Sequence, residues 1–229
     1  MRLAVALLLS LFASVASSYA QNYVATAKYE RHEIGGWTVL LSDDFRYEAG
    51  TSEQLLDIIS RQLSDIQRAV PSTALSKIKN TKIWVEPIAD YIDGAGVYFG
   101  DINFVTENGL NPDKAFGIEL TSTGLEESDN QYSLILHELA HAYQEQALSL
   151  DAGPITLAYE AALASGRYDS VDDMGGGLSR AYALVNAHEF FADMTEAYYG
   201  RNDSFPFDRA ELESFDPATA KIIREMWER

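Results

Sequence analysis

The amino-acid sequence predicts an α+β protein in which a small mixed N-terminal sheet with helices precedes a helical C-terminal part. Three observations support this fold class. The 229 residues are 47% hydrophobic and 23% charged, the composition of a folded chain with one sizeable core. Short segments rich in β-branched and aromatic residues occur in the first half of the chain, and helical periodicity dominates from Asp129 onward.

The first twenty residues have the pattern of a cleaved secretory signal peptide. Arg2 supplies a positive start, residues 3–15 are apolar, and residues 18–20 (Ser-Tyr-Ala) include the small side chains that signal peptidases read. This apolar stretch is shorter than the roughly twenty residues that a membrane-spanning helix needs. We therefore predict a secreted or periplasmic protein whose mature chain, residues 21–229, is one domain without a membrane span.

The first half of the mature chain alternates between strand and helix patterns. Short aromatic and β-branched segments with turn residues nearby predict three strands, at 37–41, 82–86 and 115–120. A helix is predicted between the first two strands. Thr51 and Gln54 can form a capping box at its start, and leucines and isoleucines recur at helical spacing until Pro71 ends the run.

The second half of the chain is predicted to be mostly helical, because its apolar residues recur with a helical period. The predicted helices span residues 129–148, 155–165, 179–199 and 216–228. The first and third of these helices contain three of the chain's four histidines.

Charge and cysteine content exclude several function classes. The chain has 17 basic and 35 acidic side chains, a formal net charge of -18, so nucleic acid and anionic membrane surfaces would repel it. It has no cysteine, which excludes disulfides, thiol catalysis and cysteine-ligated metals. Any metal must therefore be bound by aspartate, glutamate or the four histidines.

Two of these histidines lie in the HExxH pattern, His137-Glu138-Leu139-Ala140-His141. Positions i and i+4 of a helix lie on one face, so both imidazoles can bind one zinc ion at about 2.0–2.1 Å. Glu138 projects beside them, where its carboxylate can accept a proton from a zinc-bound water. The pattern therefore predicts one zinc ion per chain and a general base for hydrolysis.

Zinc needs a third protein ligand, and two glutamates are candidates. The metzincin pattern is excluded because Gln144 and Ala147 stand where it requires Gly and His. Glu160 follows the HExxH pattern at a spacing similar to that of many aminopeptidases. Glu189 has Asp193 four residues later, and this carboxylate can accept a hydrogen bond from the outer N–H of a zinc-bound histidine. We therefore favour Glu189, and Glu160 stays the alternative.

The segment from Tyr182 to Asp193, Tyr-Ala-Leu-Val-Asn-Ala-His-Glu-Phe-Phe-Ala-Asp, lies downstream of HExxH and resembles the ligand helix of anthrax lethal factor-like zinc metallopeptidases. Mlc titration factor-type peptidases share this style of helix. The resemblance covers about residues 115–200. It implies a zincin-like fold with the following site residues: His137, His141 and Glu189 as zinc ligands, Glu138 as base, Tyr182 as the phenol that supports the oxyanion or leaving group, and Asp193 behind a zinc histidine. The delivery domains of lethal factor have no counterpart here, so neither its toxin action nor its substrates are implied.

Two structural expectations accompany this interpretation. Two helical turns, about 10.5 Å of rise, would separate Tyr182 from Glu189, so the chain must bend at the start of the predicted helix 179–199 for Tyr182 to reach the metal. The predicted strand 115–120 precedes the HExxH helix, and its residues from Phe116 to Leu120 are a candidate edge for pairing with extended substrate.

The sequence thus predicts an exported zinc peptidase that hydrolyses peptide bonds by metal-activated water. Its substrate is a peptide or protein, and the negative charge of the chain favours basic ones. Two alternatives stay open: an aminopeptidase-like site that uses Glu160 as the third ligand, and a catalytically silent, zinc-stabilised binding protein. Glu138 argues against the silent protein, because a purely structural zinc site needs no base.

Overall fold

A computed structural model describes residues 23–47, 50–88, 94–148 and 153–229. These residues form an α+β fold with a small mixed sheet, which confirms the predicted α+β class. The predicted signal peptide, residues 1–20, lies outside the described residues, so export stays a prediction. Within the described ranges, every helix is too short or too polar to span a bilayer.

The main sheet has five strands in the order β1-β2-β3-β5-β4. Their bounds are β1 Tyr29–Ile34, β2 Trp37–Ser42, β3 Ile83–Glu86, β4 Gly96–Tyr98 and β5 Ile118–Thr121. Strands β2, β3 and β5 run parallel to one another, whereas β1 and β4 pair antiparallel at the two edges. The predicted strands 37–41 and 82–86 are confirmed, and β1 and β4 were not predicted.

The third predicted strand, 115–120, begins too early. Residues 112–114 form a 3-10 turn, and Phe116 has a left-handed backbone with φ 59°. A non-glycine residue in that region interrupts an extended chain. The strand therefore begins at Ile118, after Gly117.

Helix α1, Thr51–Ala69, covers one face of the sheet and buries a leucine and isoleucine stripe. The predicted helix is confirmed, but the predicted capping box of Thr51 and Gln54 is wrong. The helix follows Gly50, whose φ is 87°, and no side chain caps its start. Glycine adopts this left-handed backbone without the strain that a side chain would add. The short helices α2 Ser72–Lys77, α3 Ile102–Glu107 and α4 Ser122–Ser128 complete this half.

The C-terminal helices are α5 Leu134–Leu148, α6 Gly153–Ser165, α7 Ala187–Tyr199, α8 Arg209–Phe215 and α9 Pro217–Trp227. A two-stranded hairpin, β6 Val171–Asp172 and β7 Leu178–Ser179, connects α6 to the segment before α7. The predicted helix 129–148 begins later, because α4 ends at Ser128 and Asn130 has φ 59°. The predicted helix 179–199 also begins later, at Ala187, where the Asn186 side chain caps α7. Helix α8 was not predicted.

Helices α5 and α7 pack against each other in the main core, and α5 also contacts β4. The core side chains of the sheet, among them Ile83, Ile118 and Leu120, face these helices. Tyr29, Leu40 and Trp84 form a second buried cluster. Since successive strand residues point to opposite faces, this second cluster lies on the face of the sheet away from the helices.

Candidate metal centre

Helix α5 places His137 and His141 on one face. Their ring centroids lie 4.9 Å apart, and both side chains are partly buried. The helix itself is strongly apolar: Leu136, Leu139 and Ala140 are almost completely buried around the two imidazoles. The packing of α5 therefore fixes both histidines at the rim of the core rather than on a free surface.

Helix α7 brings Glu189 to both histidines. The Asn186 side chain accepts hydrogen bonds from the backbone N–H groups of His188 and Glu189, which fixes the first turn. Glu189 Oε2 lies 3.1 Å from His137 Nε2 and 3.3 Å from His141 Nε2. Burial alone would raise the pKa of Glu189, but the hydrogen bonds with the two histidines outweigh it and lower that pKa.

The three donor atoms fit a zinc ion. All of them lie within 4.8 Å of one another. Ligands about 2.0–2.1 Å from a tetrahedral ion are separated by about 3.3 Å, which is close to the two distances from Glu189. Two imidazole nitrogens and one carboxylate oxygen are also the donor types of catalytic zinc sites, which keep a fourth position for water or substrate.

Two buried carboxylates lie behind His137. Its Nδ1 is 2.7 Å from Glu196 Oε1 and 3.5 Å from Asp193 Oδ1. The sequence pointed to Asp193 for this position and missed Glu196, which makes the shorter contact. Glu189, Asp193 and Glu196 are spaced i, i+4 and i+7, so they share one helix face, and this spacing is a signal that was present in the sequence.

Burial affects the pKa of each of the three groups in this contact, His137, Asp193 and Glu196. Desolvation raises the pKa of Asp193 and of Glu196 despite the opposing effect of His137. Desolvation disfavours a charge on His137, but its hydrogen bonds with Glu189 and Glu196 raise its pKa well above the usual range. Asp193 Oδ2 is buried without a hydrogen-bond partner. A cation bound at this site would stabilise the charged forms of the carboxylates, which burial disfavours.

Glu138 is 5% exposed and faces β4. Desolvation raises its pKa, and the charges of His137 and His141 oppose that shift. The backbone N–H of Tyr98 donates a hydrogen bond to the Glu138 carboxylate. A Cβ at position 96 would lie 2.8 Å from Glu138 Oε1, so glycine at this position allows the strand to approach the carboxylate.

The predicted substrate-pairing edge, Phe116 to Leu120, is wrong. Strand β5 lies inside the sheet, between β3 and β4, so its backbone groups are already paired. The edge beside the metal centre is β4, which was missed because a three-residue strand that begins with glycine gives almost no pattern. Phe99 N–H bonds Gly117 O and Thr121 N–H bonds Ala95 O, so the intervening Gly96 and Tyr98 direct their backbone groups outward.

Tyr182 reaches the same cleft, because it lies outside α7. Tyr182 is the first residue of a 3-10 turn, Tyr182–Leu184, and Ala181 before it is extended. Asn186 lies between this turn and α7. The chain is thus bent at the place where the sequence required a bend. The Tyr182 ring is 52% exposed, and its centroid lies 6.3 Å from that of His137. Burial of the hydroxyl and the Glu189 charge raise the pKa of Tyr182, so the phenol stays protonated near neutral pH.

Glu160, the alternative third ligand, and His188, the residue before Glu189, are placed differently. Glu160 lies exposed on α6 and is not among the residues whose donor atoms converge with His137 and His141. His188 lines the cleft, and its Nδ1 lies 3.0 Å from Gln144 Oε1. Since the amide oxygen only accepts, Nδ1 is the protonated nitrogen in this contact.

The cleft has a volume of about 480 Å³. It joins the three converging donor residues, the buried Glu138, Tyr182 and the outer edge of β4. This arrangement can hold a divalent cation, a water molecule beside a base, and an extended chain. No family model, curated protein or solved structure matches the chain.

Proposed function

We propose that this protein is a zinc-dependent peptidase of the zincin type. The observation that carries the proposal is the convergence of His137, His141 and Glu189 in one cleft with the buried Glu138 carboxylate beside them. The bent position of Tyr182 and the Glu189 helix support the resemblance to lethal factor-like peptidases. Zinc held by the three residues would act as a Lewis acid that lowers the pKa of a water molecule and polarises the substrate carbonyl.

Glu138 is the general base. Its raised pKa makes the carboxylate a better proton acceptor than an exposed glutamate, and the Tyr98 N–H holds it in place. It accepts the proton of the attacking water and then donates this proton to the leaving amine, which allows the C–N bond to break. The Tyr182 hydroxyl, which is protonated, donates a hydrogen bond to the negative charge that develops on the carbonyl oxygen.

The edge of β4 binds the substrate backbone. Gly96 directs its backbone N–H and C=O outward beside the base, and Tyr98 directs its C=O the same way. An extended peptide can add to the sheet there through main-chain hydrogen bonds. Main-chain hydrogen bonds do not depend on the side chains of the substrate. The side chains that line the cleft therefore determine which peptides are selected.

Metal analysis combined with a peptide-library digest tests the proposal. The purified protein should retain about one zinc per chain after dialysis against a weak chelator. Glu138→Gln should retain the zinc but hydrolyse peptides at least about 10²-fold more slowly, because the amide cannot accept a proton. Glu126→Gln, the same substitution at an exposed position of α4, is the control and should leave both quantities unchanged.

Two results would overturn the proposal. The first is a Glu138→Gln variant that hydrolyses every peptide as fast as wild type. The second is a zinc-loaded wild type that cleaves nothing in a broad library, which would favour the silent binding protein.

A further inference from the structure

Glu145 extends the face of α5 that carries the metal ligands. It follows His141 by four residues and lines the same cleft, partly buried. On the other side of the cleft, Gly100 contacts the Glu145 carboxylate so closely that a side chain there would collide with it. The Tyr98 hydroxyl donates a hydrogen bond to the same carboxylate. The fold therefore holds Glu145 in a defined position at one end of the cleft.

Glu145 lacks a cationic partner among the described residues. The residues that line the cleft include Glu138, Glu145 and Glu189 but neither lysine nor arginine. Desolvation raises the pKa of Glu145, the Tyr98 hydrogen bond opposes this shift, and the Asp101 charge adds to it. A positive group from outside the chain would be favoured at this carboxylate, since it would compensate a partly desolvated charge.

The distance between Glu145 and the base, Glu138, determines how many substrate residues separate the cleaved bond from the residue that Glu145 contacts. Gly96 lies against Glu138 and Gly100 against Glu145, so β4 and α5 run in the same direction along the cleft. Seven residues of helix rise about 10.5 Å, which equals about three residues of an extended peptide. A peptide that pairs antiparallel with β4 enters at the Glu145 end and reaches the metal afterwards.

We infer that Glu145 selects a lysine or arginine side chain about three residues before the bond that is cleaved. This inference rests on the proposed peptidase function and narrows its substrate class from peptides in general to peptides with a basic residue in this position. The Glu145 carboxylate accepts the charged hydrogen bonds of that side chain, and β4 holds the backbone between this contact and the metal.

Paired peptides that differ only in charge test the inference. One peptide carries arginine at the third position before the cleaved bond, and the other carries citrulline, which has nearly the same shape but no charge. Wild type should cleave the arginine peptide with a kcat/KM about tenfold higher, the lower end of the effect of a hydrogen bond to a charged group. In Glu145→Gln the ratio should fall to about one, and Glu126→Gln should keep the wild-type ratio.

The outcomes separate this inference from the proposed function. A Glu145→Gln variant that keeps the arginine preference would overturn the inference while the peptidase proposal stands. If zinc-loaded wild type cleaves neither peptide, the peptidase proposal fails. Fluorescence anisotropy then compares binding of the same labelled peptides to wild type and to Glu145→Gln. Equal affinity for the arginine and citrulline peptides in wild type would overturn the inference as well.

Discussion

Two clusters of buried charge in the described part of the chain differ in how completely their polar atoms are paired. We call them the lysine cluster, formed by Lys114, Glu86 and Glu119, and the histidine cluster around His137. In the lysine cluster, Nζ of Lys114 lies 2.7 Å from Glu86 Oε1 and also bonds the Glu119 carboxylate. The Tyr29 hydroxyl donates to Glu86. Each charged group of this cluster thus has a hydrogen-bonded partner within the chain.

The histidine cluster is less completely hydrogen-bonded than the lysine cluster. Glu189, Asp193 and Glu196 all contact His137, and among the described residues their ion pairs are with histidines only. Buried ion pairs stabilise a fold only when hydrogen bonds satisfy their remaining atoms, and Asp193 Oδ2 has none. The difference teaches that burial of charge alone does not identify a site. We propose a cation site at the histidine cluster because it retains an unpartnered carboxylate oxygen, lies beside a cleft and has converging donor atoms.

The largest change in the free energy of unfolding should come from removing the positive charge of the lysine cluster. Lys114→Met leaves Glu86 and Glu119 buried without a positive charge, so the free energy of unfolding should fall by about 3–5 kcal/mol. Urea unfolding measures this loss. The control is Lys221→Met, an exposed lysine whose removal should change stability by less than about 0.5 kcal/mol. Equal losses in the two variants would show that the lysine cluster contributes nothing beyond a surface ion pair.

Zinc binding at the histidine cluster should change the free energy of unfolding somewhat less than Lys114→Met does. At free zinc near 100 times its Kd, the free energy of unfolding should rise by about 2.7 kcal/mol, and a chelator should reverse the gain. Glu189→Ala should abolish most of this increment because it removes a ligand, whereas Glu160→Ala should retain it. The opposite order would replace the lethal factor-like site with the aminopeptidase-like one. Thermal unfolding with and without zinc measures both increments.

Glu196 and Asp193, the two carboxylates behind His137, should differ in how much each contributes to zinc affinity. Glu196→Gln should weaken zinc binding by about 10- to 100-fold, because a carboxylate that accepts from a zinc-bound histidine fixes the orientation of the ring and raises its basicity. Asp193→Asn should weaken it less, since Asp193 lies 3.5 Å from Nδ1 and Glu196 lies 2.7 Å from it. Competition with a chromophoric chelator measures both affinities. A larger loss in Asp193→Asn would reverse this ranking.

The parts of the structure that the sequence predicted depend on local patterns. The HExxH spacing places His137 and His141 on one face of any helix, whatever lies around it. The leucines and isoleucines of α1 likewise mark one buried face, and the aromatic and β-branched run at Trp37 marks β2. These patterns need only a few consecutive residues, so the sequence alone contains them.

The parts that were missed depend on tertiary context. Strand β1 buries only Tyr29 and exposes charged residues on both faces, so it lacks the alternation of a half-buried strand. The start of α7 is an exception, because a local signal marks it: Asn186 is a strong N-cap residue, although the apolar residues 181–185 continue the helical pattern before it. The lysine cluster has no motif at all, because the register of β3 against β5 brings Glu86 and Glu119 together.

The smallest expected effect concerns the pH dependence of the lysine cluster. Desolvation alone would lower the pKa of Lys114, but the charges of Glu119 and Glu86 outweigh it and raise the pKa above that of an exposed lysine. Between the pKa of the unfolded chain, about 10.4, and this higher folded value, the folded state binds more protons than the unfolded one. The contribution of Lys114 is therefore complete below pH 10 and declines as pH rises further. Urea unfolding of wild type and Lys114→Met should show a constant difference from pH 6 to 9 that narrows above pH 10. A difference that narrows toward acidic pH within that range would assign the stabilisation to another group.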